Sequence, residues 1–320
     1  MLDVTSPLDG RLIKRLPLNS RQDAEVMLDT AVGLFQNRDG WLPPFQRIDI
    51  LERLAELVRG DADEFAVLIA EEGGKPLTDA RVEVARAIDG IHLAAKELSR
   101  MVRGEEIPMG LTKATEGRQA STRYEPIGVV VALSAFNHPL NLIVHQVIPA
   151  VAVGCPVIVK PAATTPLNCL ALCDLLTQAG LPAGWCQPIV CDNNVAEGLA
   201  TSAKIGFLTF IGSAKIGWML KSKLAPGVRC ALEHGGAAPV IIDESADMER
   251  FIPALAKGGF YHAGQVCVSV QRIYIADALA EQLAARLAAS AGNLIVGDAA
   301  LAETEVGPLI LPREVDRIHE

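Results

Sequence analysis

Hydrophobic residues between positions 20 and 103 recur every three to four residues, which is the spacing of helices with one buried face. Ser20 followed by Asp23 is typical of a capping box at a helix start. Two sets of apolar residues then fall on single helical faces: Ala24, Met27, Leu28, Ala31 and Leu34, and Ile50, Leu51, Leu54, Leu57 and Val58. This part of the chain is predicted to be mainly helical.

The pattern changes at residue 104. Residues 104–123 contain Gly, Thr and polar residues around short extended pieces, which predicts an exposed β-hairpin or flap. Residues 127–131 then form a continuous apolar, β-branched run, as expected of a strand buried on both faces of a parallel sheet.

Strands and helices alternate strictly after that run. The further predicted strands are 157–159, 188–190, 207–210 and 228–232, and the predicted helices are 141–152, 167–178, 194–202 and 215–224. Such alternation indicates the α/β class with a doubly wound, Rossmann-like parallel sheet. A second unit begins near 239–242 and continues with a helix at 248–258 and a strand at 272–276. Doubly wound sheets bind ligands beyond the carboxyl ends of their strands, so chemistry is expected in those loops.

Composition narrows the possible partners. A net charge of -9 without basic clusters argues against nucleic acid. The longest apolar runs, 127–133 and 148–153, are much shorter than the roughly 20 residues that a bilayer crossing needs, so no membrane association is predicted. Seven cysteines without a signal peptide or a secretory framework indicate free thiols and a cytoplasmic protein.

Two features are compatible with nucleotide binding. Gly212-Ser213 stands at a strand-to-helix junction, where a glycine permits close approach and the helix amino end attracts a pyrophosphate. Gly212 and Gly217 have P-loop spacing, but Trp218-Met219 follows instead of Lys and Ser or Thr. Lys160 ends a predicted strand and could bind ribose or phosphate oxygens. An ordinary strand–helix turn and a solvated lysine explain the same residues, so this pattern alone leaves both interpretations open.

Three loop fragments contain residues suited to catalysis. They are Phe136-Asn137-His138-Pro139, Leu232-Glu233-His234-Gly235-Gly236 and Gly264-Gln265-Val266-Cys267. Cysteine, glutamate and asparagine can serve as nucleophile, general base and oxyanion donor. Each also has a structural interpretation: Cys267 as a buried apolar residue, Asn137 as a helix cap and Glu233 as a surface charge.

These fragments, together with Val159-Lys160-Pro161-Ala162 and Phe210-Ile211-Gly212-Ser213, resemble the aldehyde dehydrogenase superfamily in sequence and order. The resemblance covers nearly the whole chain. It implies a dinucleotide-binding domain formed by 1–103 and 124–234, an oligomerisation flap at 104–123 and a partial α/β catalytic domain at 235–320. It also implies NAD or NADP as cofactor, an aldehyde as substrate and a homo-oligomer in the full-length form.

The resemblance also implies a role for each site residue. Cys267 is expected to attack the aldehyde carbon and form a thiohemiacetal, while the Asn137 amide and the backbone N–H of Cys267 stabilise the oxyanion. Hydride transfer then leaves a thioester, which Glu233 hydrolyses by activating water, so that a carboxylic acid is released. The cofactor-binding residues are expected to be Phe136, Lys160, Ala163, Gly212, Ser213 and Gly217.

The sequence departs from the family pattern at two places. Ala163 stands where many NAD-preferring relatives have a ribose-binding glutamate, so both NAD and NADP are expected to be accepted. A thousandfold preference for NAD in the Michaelis constants would contradict this expectation. Family members also run beyond residue 320, where a Glu-x-Phe-Gly-Pro motif holds the nicotinamide ribose. The chain is therefore expected to be a fragment or a shortened form, with apolar surface exposed and dinucleotide binding better preserved than turnover.

Two alternatives to an active oxidoreductase follow. One is a nucleotide-binding or interaction protein of the same fold that lacks turnover, and the other is a cysteine hydrolase without cofactor, which would need a histidine such as His262 beside Cys267. His145 and His262 lie in apolar stretches and are predicted to be packed and hydrogen-bonded, while His138 and His234 are expected to line the pocket. Cys169 and Cys173 are four apart but lack a ligand set, so core positions and no metal are predicted.

Overall fold

The computed structural model describes residues 1–319, which form eleven strands and eleven α-helices. The strands are β1 (Leu2–Thr5), β2 (Leu12–Leu16), β3 (Glu105–Ile107), β4 (Ala120–Thr122), β5 (Val130–Leu133), β6 (Val157–Lys160), β7 (Cys186–Pro188), β8 (Phe207–Ile211), β9 (Arg229–Glu233), β10 (Val240–Ile242) and β11 (Ile273–Ile275). The helices are α1 (Arg21–Gln36), α2 (Pro44–Gly60), α3 (Ala62–Gly73), α4 (Leu77–Met101), α5 (Asn141–Val153), α6 (Leu167–Gln178), α7 (Asn193–Ala200), α8 (Ala214–Ser222), α9 (Met248–Phe260), α10 (Asp277–Gly292) and α11 (Arg313–His319).

Five parallel strands form the central sheet in the order β7-β6-β5-β8-β9. The chain builds outward from β5 to β7 and then returns to place β8 on the other side of β5. The topological switch point therefore lies between β5 and β8, where doubly wound sheets bind their ligands.

Helices cover both faces of this sheet. On one face, α2, α4, α5 and α6 pack against Val130, Ala132, Val157 and Val159. On the other, α1, α7 and α8 pack against Val131, Leu133, Ile158 and Leu208. The predicted α/β, doubly wound class is confirmed, and burial on both faces explains why β5 and β6 are continuous apolar runs.

Local signals located most elements correctly. The capping box of α1 is present, with Asp23 N donating to Ser20 Oγ (3.1 Å) and Ser20 N donating to Asp23 Oδ2 (2.7 Å). The first sheet strand begins three residues later than predicted, at Val130, because the backbone at Ile127 and Gly128 crosses closely over Gly206. The predicted strand 188–190 was also shifted, since β7 ends at Pro188.

Smaller elements flank the sheet. β1 and β2 form an antiparallel hairpin that the pattern did not predict, because most of its side chains are exposed or half-buried. β3 and β4 pair antiparallel within the predicted flap, with Glu105 opposite Thr122. In residues 1–319 no helix combines the length and the apolar character needed to cross a membrane.

The region after residue 235 has its own small core. β10 and β11 pair in parallel, and α9 and α10 pack on them through Ile252, Leu255 and Leu283. Helix α10 was not predicted. Ile241 and Val296 are 83% and 73% exposed, in agreement with the apolar surface expected for this region.

Candidate active site

Four strands of the sheet end at one edge, and predicted site residues lie there. Leu133 pairs with Lys160 on one side and with Phe210 on the other, while Ile211 pairs with Glu233. Since the strands are parallel, their following loops emerge on the same side. This register places seven of the predicted positions along one edge: Phe136, Asn137, Lys160, Ala163, Gly212, Ser213 and Glu233.

The turn that contains Cys267 lies against this edge. Asn137 Nδ2 donates to the carbonyl oxygen of Gln265 at 2.8 Å. A Cβ added at Gly236 would lie 2.8 Å from the Cys267 carbonyl oxygen, so only a glycine allows this approach. The loop after Glu233 and the loop that contains Asn137 thus both touch the turn that contains Cys267, and Cys267 itself is exposed.

The side chain of Gln265 holds the turn before Cys267 in place by hydrogen bonds. This role was not predicted from the sequence. Its Oε1 accepts the N–H of Ile310 (2.9 Å), and its Nε2 donates to the His262 carbonyl oxygen (3.1 Å). The segment before Ile310 is itself attached to α4, because Leu77 N donates to Ala299 O at 2.8 Å. A late stretch of the chain therefore supports the backbone beside Cys267.

The backbone of the turn is strained. His262, Ala263 and Gly264 are consecutive left-handed residues, with φ of 49°, 54° and 73°. Non-glycine residues pay of the order of 1–3 kcal/mol for such a conformation and keep it only where their surroundings impose it. The contacts of Gln265 and the burial of His262, which is 1% exposed, supply those surroundings.

Replacing Gly307 by alanine is expected to destabilise the protein. A Cβ at this position would overlap the Gly74 carbonyl oxygen, which is backbone and cannot rotate away. Overpacking of this kind costs about 1–3 kcal/mol. The free energy of unfolding, measured by urea denaturation, is expected to fall by that amount.

Gly292→Ala is the matched control. Gly292 ends α10, has no positive φ, and a Cβ there would meet nothing within 4 Å. This variant should keep its stability or gain slightly, since alanine is the better helix former. A Gly307→Ala protein as stable as the Gly292→Ala protein would contradict the predicted contact.

The start of α8 provides a second part of the site. Ser213 is its N-cap and accepts from Ile216 N at 3.5 Å, so N–H groups of the first turn point toward the sheet edge. Gly217 lies directly against the His234 imidazole, and a Cβ there would overlap Nε2. A side chain at 217 would therefore have to displace the His234 imidazole.

Lys160 lies half-buried at the end of β6. Its Nζ donates to the Pro161 carbonyl oxygen at 3.2 Å, which leaves further N–H donors for a ligand. Burial lowers its pKa. Ala163 is exposed three residues further on. A helix amino end and an ammonium group at the switch point fit a ligand that contains phosphate and ribose oxygens.

Two expectations for histidines were wrong. His145 is exposed on α5, because its side chain faces away from the sheet. His262 is buried as predicted, but neither of its ring nitrogens has a hydrogen-bond partner among the described residues. Burial lowers its pKa well below the usual value. His138 and His234 both lie beside the edge loops.

The purely structural interpretations of the candidate residues hold for some of these residues and fail for others. Asn137 does not cap α5, whose N-cap is Leu140. Cys267 is not a buried apolar residue, whereas Cys169 and Cys173 are buried in the core as predicted. A third thiol, Cys186, lies with its sulfur 3.6 Å from that of Cys173. Glu233 is an exposed carboxylate at the end of β9, beside the turn that contains Cys267.

Comparison with known proteins shows which family the chain is similar to. The model of the aldehyde dehydrogenase family matches residues 1–320. The chain is 36% identical over 279 residues to the 3-sulfolactaldehyde dehydrogenase of Priestia megaterium, covering 87% of this chain and 58% of that protein. It is 34% identical over 314 residues to the lactaldehyde dehydrogenase of Methanocaldococcus jannaschii, covering 97% of this chain and 66% of that protein.

A solved structure shows the same likeness in three dimensions. The glyceraldehyde-3-phosphate dehydrogenase of Methanocaldococcus jannaschii, in complex with NADP, superimposes with a TM-score of 0.92 at 33% identity, covering 99% of this chain and 69% of that chain. The chain thus spans about three fifths to two thirds of the length of the curated relatives named above.

Proposed function

This chain belongs to the aldehyde dehydrogenase family, and from that premise we propose that it oxidises an aldehyde to a carboxylic acid with NAD or NADP as hydride acceptor. One observation supports the proposal above others. The loops that contain Asn137 and Glu233 both touch the turn of Cys267, at the switch point of a dinucleotide-type sheet.

Cys267 is proposed as the nucleophile. As a thiolate, its sulfur forms a bond to the aldehyde carbon, and the carbonyl electron pair moves to oxygen. Asn137 already donates one amide N–H to Gln265 O, which fixes the amide plane and leaves its second N–H for that oxyanion. The backbone N–H of Cys267 is the proposed second donor.

A nicotinamide held at this edge would supply the hydride acceptor, and loss of hydride from the former aldehyde carbon would leave a thioester on Cys267. Lys160 and the amino end of α8, with Gly212 and Ser213, are proposed to hold the ribose and phosphate oxygens of the dinucleotide. Phe136, Ala163 and Gly217 complete the proposed binding surface. With an alanine at 163, no carboxylate repels a 2′-phosphate, so both NAD and NADP are proposed to bind.

Glu233 is proposed as the general base of the second half-reaction. Its carboxylate takes a proton from water, the hydroxide oxygen bonds to the thioester carbon, and the thiolate leaves. Exposure of Glu233 gives water access to it. The proposed products are a carboxylic acid and the reduced cofactor.

The proposed substrates are short, polar aldehydes. The similar proteins described above are named for 3-sulfolactaldehyde, lactaldehyde and glyceraldehyde 3-phosphate, all of which have a hydroxyl group next to the aldehyde. Initial rates with lactaldehyde, succinate semialdehyde and decanal, each with both cofactors, measure this preference.

We also propose a cytoplasmic homo-oligomer. The seven free cysteines suit a reducing compartment. The β3–β4 flap presents Ile107 and Leu111, which are 47% and 86% exposed and offer apolar surface to a second copy of the chain.

Glu233→Gln is the experiment that tests the proposed function. Because hydride transfer precedes hydrolysis, the variant should release about one equivalent of reduced nicotinamide per site in a rapid burst. Steady turnover should then fall by about 10²-fold or more. Stopped-flow absorbance of the reduced nicotinamide measures both phases.

The control is Glu281→Gln, which neutralises an exposed carboxylate on α10. It should behave as the wild-type protein. Dinucleotide binding without any burst in the wild-type protein would contradict the proposed oxidation, and unchanged turnover in Glu233→Gln would contradict the proposed base.

A further inference from the structure

A pair of opposite charges lies completely buried beneath the loop that contains Asn137. Lys75, in the link between α3 and α4, forms an ion pair with Glu83 of α4, and both side chains are 0% exposed. Buried ion pairs seldom add net stability, because the cost of removing two charges from water offsets their attraction. The position of this pair, rather than its energy, therefore calls for an explanation.

Glu83 holds the start of α5. Its Oε1 accepts the backbone N–H groups of Leu140 and Asn141, each at 3.0 Å. A carboxylate at a helix amino end satisfies free N–H groups and complements the helix dipole. Although burial raises the pKa of Glu83, the adjacent ammonium of Lys75 lowers it to about 2, so the carboxylate stays charged. Asn137 lies only three residues before this anchor.

Lys75 holds the same loop by a second contact. Its Nζ lies 2.8 Å from Nδ1 of His138, the residue next to Asn137. Nδ1 also lies 3.5 Å from Oε2 of Glu83, so this edge of the ring faces both members of the pair. The ring of Tyr261 stacks on His138, with the two centroids 6.0 Å apart. The imidazole is therefore fixed in place.

We propose that the buried Glu83–Lys75 pair is a positioning device for the Asn137 side-chain amide, acting through the amino end of α5 and through His138. The inference rests on the proposed function of Asn137 as oxyanion donor. In this proposal Glu83, Lys75 and His138 do not contact the reacting atoms. They fix the backbone on both sides of Pro139, and a displacement of about 1 Å at a catalytic group can lower a rate by about 10²-fold.

Glu83→Asp tests the device, because it keeps the charge but shortens the side chain. The aspartate cannot reach the N–H groups of Leu140 and Asn141 while it remains beside Lys75. The kcat is expected to fall by about tenfold or more, with the KM for aldehyde within about twofold of wild type. Glu83→Gln keeps the length and the oxygen that accepts both N–H groups but leaves the buried Lys75 ammonium without its partner, and it should lower kcat less than Glu83→Asp.

Glu72 provides a matched control. It is equally buried and caps α6, accepting Leu167 N (2.9 Å) and Asn168 N (3.2 Å), so its hydrogen bonds go to α6 and not to α5. Glu72→Asp should lose a comparable part of the stability and keep kcat at saturating substrate within about twofold. A general structural effect would lower kcat equally in both aspartate variants, and that result would overturn the proposal.

A double-mutant cycle identifies the residue that is positioned. If Glu83 acts through Asn137, Glu83→Asp should lower kcat little further when Asn137 is already alanine. Additive losses would overturn the proposal. If the Glu83→Asp protein does not fold, His138→Ala replaces it in the cycle, since His138 is on a loop and removal of its ring leaves the hydrogen bonds of Glu83 to Leu140 and Asn141 in place. A wild-type kcat in His138→Ala would then count against the proposal.

Hydrogen–deuterium exchange separates this inference from the proposed function. Amide exchange in residues 137–142 should be faster in Glu83→Asp than in wild type, and unchanged in Glu72→Asp. Unchanged exchange in Glu83→Asp refutes the positioning, whatever the activity. Absence of aldehyde oxidation in the wild-type protein, with the expected exchange, refutes the proposed function instead.

Discussion

Cys267→Ala is expected to abolish aldehyde oxidation while leaving dinucleotide binding intact. Without the sulfur there is no thiohemiacetal, so no tetrahedral carbon forms that can donate a hydride to the nicotinamide. Loss of a covalent nucleophile typically lowers kcat by about 10⁴-fold or more. The Kd for NADP, measured by isothermal titration, should change by less than about threefold, because the proposed dinucleotide surface lies on α8 and β6.

Cys230→Ala is the control for this prediction. Cys230 is a half-buried thiol on β9, three residues before Glu233, and its loss should not affect turnover. Iodoacetamide should label Cys267 first, since it is the exposed thiol of the seven. Turnover that persists in Cys267→Ala would show that the chemistry takes place elsewhere, and a cysteine-independent activity would then have to be sought.

The positions of the edge residues could be predicted because they depend on local patterns. A strand buried on both faces must be a continuous apolar run, so β5 and β6 were recognisable, and the alternation of strands with helices located β8 and β9. Once the strands are parallel, the residues that follow them share one edge. Asn137, Lys160, Gly212 and Glu233 were therefore expected at the same place from the sequence alone, although their roles remain predictions.

The supports of the site could not be predicted in this way. Gln265 meets Ile310, which is 45 residues away, and Glu83 meets Leu140 at a separation of 57 residues. No periodicity specifies such contacts. From the sequence, Lys75 and Glu83 would also be assigned to the solvent-exposed surface, because charged residues are rarely buried. Only the folded chain shows that these two charges lie inside the protein.

The conformation of the strained turn at residues 262–264 could not be predicted from the sequence either. His262 and Ala263 adopt left-handed backbone conformations, which sequence rules assign to glycine or asparagine. The conformation depends on Gln265 and on the segment that reaches it from residues 306–310. Local propensity is therefore overridden by tertiary contacts at the residues that position the nucleophile.

Asn137→Ala is expected to lower kcat by about 10²–10³-fold, which corresponds to a loss of about 3–4 kcal/mol of transition-state stabilisation. The variant removes the proposed oxyanion donor, and the backbone N–H of Cys267 then acts alone. The effect should appear in kcat and kcat/KM equally, since the oxyanion forms only in the transition state. Steady-state kinetics with lactaldehyde measure both quantities.

A second reaction distinguishes stabilisation of the oxyanion from simple support of the turn. Asn137 also donates to Gln265 O, so its loss could act by displacing Cys267. Alkylation of Cys267 by iodoacetamide needs the thiolate in place but develops no oxyanion. If Asn137 is the donor, alkylation in Asn137→Ala should proceed within about twofold of the wild-type rate while oxidation falls by orders of magnitude. An equal fall in both rates would mean that Asn137 supports the turn through Gln265, and the oxyanion would then depend on the backbone N–H of Cys267 alone.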